Sequence, residues 1–217
     1  MAPISTQKYN RLALKRQKHW EKTWSNTDPG QVGWYQKSPE VSLGLVEATG
    51  IDLDARILDV GGGASTLVDG LLDCGFENIS VLDLSDSAIG HARARLGARS
   101  DRVTWIAEDV TTFRAAQPLD LWHDRAVLHF LTHERDRELY VESLTESLAP
   151  AGHVIFATFA VDGPKKCSGL EVVRYGSREM TTLLGNSFQL LEILHETHIT
   201  PGKTRQRFTY FRLQRQG

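Results

Sequence analysis

The sequence predicts an α/β fold, a Rossmann-like doubly wound sheet of seven strands, mostly parallel and finished by an antiparallel C-terminal hairpin. Three observations predict it. From Arg56 onward short apolar runs alternate with helical patterns, three successive glycines (Gly61 to Gly63) follow the first run, and two long strand patterns separated by Pro201 and Gly202 close the chain.

Taken in order, residues 7 to 25 carry a helical pattern, followed by the turn-rich loop "NTDPGQVGWYQ". "SPEVSLGLVEATG" reads as a helix with Ser38 as N-cap, Pro39 at the first helical position and Gly50 beyond its end. Strand and helix patterns then alternate: "RILDV" and "ASTLVDGLLDCG"; "ISVLDL" and "SDSAIGHARARLG"; "RVTWIAEDV"; "LDLWHDRAV" and "ERDRELYVESLTESLAP"; "HVIFATFA". Regular alternation of this kind makes a parallel sheet covered by helices on both faces. After it come a short helix, "SREMTTLLG", and the strands "SFQLLEILHETHIT" and "KTRQRFTYFRLQ", whose Pro-Gly separation reads as a hairpin. No repeat or linker divides the 217 residues, so one domain is expected, with residues 1–50 as a helical extension and 51–217 as the core.

Charge and composition exclude several partners. Lys plus Arg number 25 against 27 for Asp plus Glu, which gives no general electrostatic attraction to nucleic acid or to an anionic membrane. Cys74 and Cys167 stand far apart without metal-ligand spacing, so neither a disulfide framework nor a metal site is expected. The first twenty residues hold no apolar core of signal-peptide length, and no run could span a bilayer; a cytoplasmic protein is the expectation. Isolated basic residues such as Lys15, Arg16, Arg205 and Arg207 read as solvated faces.

In doubly wound sheets the ligand lies beyond the carboxyl ends of the strands, where a glycine turn lets backbone approach it. Asp59 ends the first strand, Asp83 the second, twenty residues after Gly63, and Asp109 the third, so three carboxylates are expected to frame one crevice. A carboxylate at Asp83 could accept hydrogen bonds from two ribose hydroxyls. A dinucleotide calls for G-x-G-x-x-G, but Thr66 stands at the last glycine position. S-adenosylmethionine, which has no phosphate and carries a sulfonium cation, suits an acidic lining better.

Together "LDVGGGAS", "VLDLS", "AEDV", "LDLWHDRAVLHFL" and "LAPAGHVIFATF" resemble the successive motifs of class I S-adenosylmethionine-dependent methyltransferases, over residues 55 to 160. The family's glycine loop often reads D-x-G-x-G-x-G; here Ser65 replaces the last glycine. The resemblance implies that Gly61 and Gly63 pass beside the methionine part, that Asp83 holds the ribose, that Leu84 packs on adenine, and that Asp109 and Val110 meet its edge.

Methyl transfer demands alignment and exclusion of water, with a base only where the acceptor must lose a proton. At the end of the fourth strand, Asp124 is the candidate contact for the methionine tail or an amine acceptor, and His129 or His133 the candidate base. Arg125 could pair with an acidic acceptor, or with Asp124 or Glu134; Trp122 reads as core, and His123 should face away from Asp124. Trp34 and Tyr35 offer aromatic faces to a sulfonium or an acceptor, in a segment that folds over the donor as a lid in related enzymes. Trp20 and Trp24, four apart on the first helix, read as packing residues. The segment "DGPKKCSGLEVVRYG" is similar in placement to the acceptor wall of thiol and thiopurine methyltransferases, which makes Cys167, Arg174 and Tyr175 candidates there. The expected acceptor is a small molecule with a nucleophilic S, N or O atom. Small lysine methyltransferases are the second comparison, weakened by "DRAVLHFLT" where they carry a D-K-G-T stretch. A nonenzymatic nucleoside- or partner-binding module on the same fold is the third reading.

Overall fold

The apolar runs become strands β1 (Arg56–Val60), β2 (Asn78–Asp83), β3 (Val103–Ala107), β4 (Leu119–Arg125) and β5 (Leu148–Phe159). Two short strands, β6 (Lys166–Cys167) and β7 (Leu170–Glu171), pair only with each other, in a stretch that the sequence reads as loop. The C-terminal hairpin is β8 (Phe188–Ile199) and β9 (Arg205–Arg215). The computed structural model describes residues 6–217, with side chains in the first helix from Ala13 onward.

The large sheet has the order β3-β2-β1-β4-β5-β9-β8. Its first five strands are parallel, and β9 runs antiparallel to both β5 and β8, as the hairpin pattern predicts. Strand order reverses between β1 and β4, and a crevice opens at the carboxyl end of such a switch point.

Helices α1 (Thr6–Asn26), α2 (Glu40–Glu47), α3 (Leu67–Asp73), α4 (Asp86–Leu96), α5 (Glu134–Ser147) and α6 (Ser177–Leu184) cover the sheet. Strand side chains alternate between two buried faces, which is why the strand sequences are almost continuously apolar. Ile57, Leu121 and Ile155 meet Leu45 of α2 and Leu71 of α3, while Leu58, Trp122 and Phe156 meet Tyr140 of α5 and Met180 of α6. Each fully buried Leu, Ile or Phe contributes roughly 1.5–3 kcal/mol. Trp122 is core, as expected, and donates its indole N–H to the Tyr140 hydroxyl at 2.9 Å.

One cap differs from the expectation. Pro39, not Ser38, occupies the cap position of α2, because its backbone (φ −85°, ψ 61°) is not helical and the helix starts at Glu40. Gly50 does close this segment, at φ +69°. Ser85 caps α4 by accepting from the Ala88 N–H at 3.1 Å. Among the described residues no helix is long and apolar enough to cross a membrane.

Candidate active site

A cavity opens at the carboxyl ends of β1 to β4, beneath α1 and the loop that precedes α2. Asp59, Asp83 and Asp109 all line it, as do Leu84 and Val110. The glycine turn shows why it cannot carry side chains. A Cβ on Gly61, whose φ is +68°, would stand 2.1 Å from Val127; one on Gly62 would stand 2.1 Å from Asp59 Oδ2; and one on Gly63 would stand 2.7 Å from Asp83 Oδ2. The turn thus brings backbone against the chain's own carboxylates. Gly61 and Gly62 line the cavity; Gly63, expected beside a ligand, is outside the lining and instead donates its N–H to Asp83 Oδ2 at 3.0 Å.

The other oxygen of Asp83 accepts from the Ser85 N–H at 2.9 Å. Burial pushes the Asp83 carboxyl up to about 6, and nearby Asp59 adds to this, while the Ser85, Gly63 and Leu84 N–H groups pull the other way. Asp109 Oδ1 accepts from the Thr111 N–H and hydroxyl at 3.0 and 2.8 Å, and its Oδ2 accepts from Arg16 Nη2 at 2.9 Å.

Arg16 is therefore not a solvated residue. It spans Asp109 and Asp136, the latter at 2.6 Å, and its side chain is 14% exposed. Burial alone would lower the guanidinium, but the two carboxylates raise it. Lys15, Arg205 and Arg207 do lie exposed, as expected. Arg16, Trp20 and Trp24 follow one another at four-residue intervals, and all three line the cavity. Trp34 stands edge-on to both tryptophans at 5.9 and 5.8 Å between ring centres, and Trp20 meets Phe130 at 4.8 Å. The helix is pinned to α4 by Glu21, which accepts from the Ser85 hydroxyl at 2.6 Å and from the Ser87 hydroxyl. Tyr35 lines the same wall.

Arg125 reaches the cavity from the end of β4, but pairs with neither Asp124 nor Glu134. Its Nε donates to the Tyr210 hydroxyl and its Nη1 to the Trp34 carbonyl, each at 3.0 Å, with the guanidinium 4.5 Å from the Phe208 ring centre. Nη2 has no hydrogen-bond partner among the described residues and lies 4.0 Å from Glu196. Glu196 also takes the Tyr210 hydroxyl at 2.7 Å and the Gln36 amide at 2.8 Å, tying the loop to the hairpin.

The expected catalytic pair lies elsewhere. Asp124 shares the face of Trp122, so it points towards α5, is fully buried and is absent from the cavity wall. It accepts from the Val127 N–H (2.9 Å), the Leu128 N–H (3.0 Å) and the Tyr140 hydroxyl (2.5 Å), and burial pushes it up to about 6. His129 is buried between Phe130 and Phe159, outside the lining, and burial together with Arg125 pushes it down to about 3. His133 is exposed at the start of α5. Tyr175 belongs to the core under α5 and α6 and is also absent from the wall, as are Cys167 and Arg174.

The site residue that sequence reasoning passed over is His123. Facing away from Asp124, as expected, turns it into the site, because Asp59 lies on that same face: the two are register partners on β1 and β4. His123 Nδ1 lies 2.7 Å from Asp59 Oδ1, and its Nε2 lies 2.9 Å from the Ser42 hydroxyl on α2. Asp59 Oδ2 is buried and has no hydrogen-bond partner among the described residues.

Residues 58–154 match the family model described as a methyltransferase domain. Nodulation protein S of Rhizobium fredii is 32% identical over 100 residues, which are 46% of this chain and 56% of that protein. The chain thus spans about half the length of the curated relatives it matches. Two solved structures share the fold: the N-methyltransferase NodS from Bradyrhizobium japonicum WM9 in complex with S-adenosyl-L-homocysteine (TM-score 0.70, 19% identity, 94% of this chain and 98% of that one), and the 1,6-didemethyltoxoflavin-N1-methyltransferase of Burkholderia thailandensis (TM-score 0.69, 18% identity, 100% and 93%).

Proposed function

We propose that this chain, whose residues 58–154 match the methyltransferase-domain model, is a class I S-adenosylmethionine-dependent methyltransferase that transfers a methyl group from S-adenosylmethionine to a nucleophilic S, N or O atom of a small molecule. The observation that carries this reading is the convergence of Asp59, Asp83 and Asp109 on one cavity. The free oxygen of Asp59 fits the donor's ammonium, the role first considered for Asp124. Asp83 sits where ribose hydroxyls would find an acceptor, and Leu84 and Val110 supply apolar surface for a base. When bound, the donor would supply an electrophilic sulfonium methyl group for transfer to the acceptor's lone pair, with S-adenosylhomocysteine as the leaving group.

The chain's part is binding, alignment and exclusion of water. Helix α1 and the loop carrying Trp34 and Tyr35 close over the cavity, and these residues with Arg125 form the acceptor side in this reading. His123, the histidine on the wall among the described residues, has both ring nitrogens engaged. The acceptor therefore brings its own lone pair, as a neutral amine or a thiolate would. The N-methyltransferase NodS makes an amine the first class to test. Two free cysteines, Cys74 and Cys167, accord with a cytoplasmic location, which is part of the reading.

The test is transfer of labelled methyl from S-adenosylmethionine into a cell lysate separated into small-molecule and macromolecular fractions, with Asp83→Ala as control. Enzyme-dependent label in a small molecule supports the reading. Label confined to protein, or label undiminished in Asp83→Ala, overturns it.

A further inference from the structure

The pairing of His123 with Asp59 puts two buried polar residues in the cavity wall, and a third stands behind them. Asp59 and His123 are each 2% exposed and Ser42 is 1% exposed. An ionised carboxylate only accepts, so His123 donates from Nδ1 to Asp59 Oδ1, and with a neutral ring its Nε2 accepts the Ser42 O–H. The chain of donors runs in one direction, Ser42 to His123 to Asp59, and all its members come from different elements: α2, β4 and β1.

This chain fixes one oxygen of Asp59 and leaves the other. Oδ2 lies over Gly62, in space that a Cβ at that position would take, 2.1 Å away. Asp59 lines the cavity, and its Oδ2 is buried without a hydrogen-bond partner among the described residues, an acceptor that a ligand would have to satisfy. We propose that His123, oriented by Ser42, is a positioning residue that holds Asp59 with Oδ2 towards the donor's amino group. The inference rests on the methyl-donor reading and adds to it the residues that set the geometry of the ammonium contact. Without His123 the carboxylate can rotate, and its oxygens compete for a place beside the Gly62 backbone.

The experiment is calorimetric titration of the full chain with two ligands, S-adenosylhomocysteine and 5′-methylthioadenosine. The second keeps the nucleoside and sulfur and lacks the amino acid. His123→Leu should weaken S-adenosylhomocysteine about tenfold or more, as loss of a hydrogen bond to a charged group does, while 5′-methylthioadenosine stays within about twofold. His123→Asn, whose side-chain N–H stands close to the place of Nδ1, should restore most of the loss. Ser42→Ala should give a smaller loss, again confined to S-adenosylhomocysteine, and serves where His123→Leu does not fold. Equal weakening of both ligands, or unchanged affinity for S-adenosylhomocysteine in both His123→Leu and Ser42→Ala, overturns the proposal. If the wild type binds neither ligand, the methyl-donor reading itself fails and takes the proposal with it.

Discussion

Arg16 on the first helix and Asp109 at the end of β3 meet at 2.9 Å across the mouth of the cavity. The same guanidinium reaches Asp136 at 2.6 Å, so one side chain joins α1, the sheet and α5. Arg16→Met keeps much of the apolar stem and leaves two carboxylates without their cation. Removing one partner of a buried pair costs about 3–5 kcal/mol; the partial exposure here reduces that to roughly 1–3 kcal/mol. The variant should show lower stability to urea, faster amide exchange in α1 and several-fold weaker donor binding. Unchanged exchange in α1 would mean that Glu21 and the tryptophans hold the helix alone.

Asp83 couples folding stability to pH. Its folded-state value of about 6 exceeds the ordinary 3.8, so between these values the folded protein holds more protons than the unfolded chain. Stability from this group is thus greatest below about pH 4, falls as pH rises, and is fully penalised above about 6. A shift of this size corresponds to about 3 kcal/mol. In Asp83→Asn that slope disappears: relative to wild type, the variant should gain up to about 3 kcal/mol between pH 4 and 7 while losing donor affinity. Urea titrations at both pH values, beside donor binding, check it. A constant stability difference across the range would show that Asp83 ionises normally.

The fold was legible because its signals are periodic and local: alternating strands and helices, glycines at the turn, Pro201 and Gly202 in the hairpin. The convergence of Asp59, Asp83 and Asp109 on one cavity was legible for the same reason, since each lies at or just past the carboxyl end of a strand. The rest depended on which face a strand residue takes. Reading Trp122 as core already placed Asp124 on that core's side and His123 on the face of Asp59, but the face of β1 that looks on the cavity is set by tertiary packing. Arg16 carried a usable signal, the four-residue spacing to Trp20 and Trp24, although the distant Asp109 and Asp136 that desolvate it had no local mark. His129 and Tyr175 were misplaced because their segments, next to the site in sequence, turn their side chains inward.

Asp124 supports the turn after β4 and stands outside the cavity wall. It accepts two backbone N–H groups and the Tyr140 hydroxyl, and its loss leaves all three buried donors unpaired. Each unsatisfied buried group costs about 1–3 kcal/mol, so Asp124→Ala should lose roughly 3–5 kcal/mol. At a temperature where the variant is folded, its donor affinity should stay near that of wild type. A variant of full stability with abolished turnover would restore Asp124 to a catalytic role.

His129 gives the clearest separation between a base and a buried ring. The Phe159 N–H approaches its Nδ1 at 3.4 Å, which leaves the ring proton on Nε2, where it has no partner. With its folded value near 3 instead of 6.5, the ring stays neutral throughout the range in which a base would titrate. The linkage has the opposite sign to that of Asp83: below about 6.5 the unfolded chain takes up a proton that the folded protein refuses. Stability is therefore intact above 6.5 and is lost as pH falls towards 3, by roughly 3 kcal/mol at pH 4.5. His129→Phe fills the gap between Phe130 and Phe159 with a ring that cannot titrate. It should be relatively more stable than wild type in acid, and its pH–rate profile between 5.5 and 8 should overlay that of wild type. A limb near 6.5 that disappears in the variant would mark His129 as the base after all.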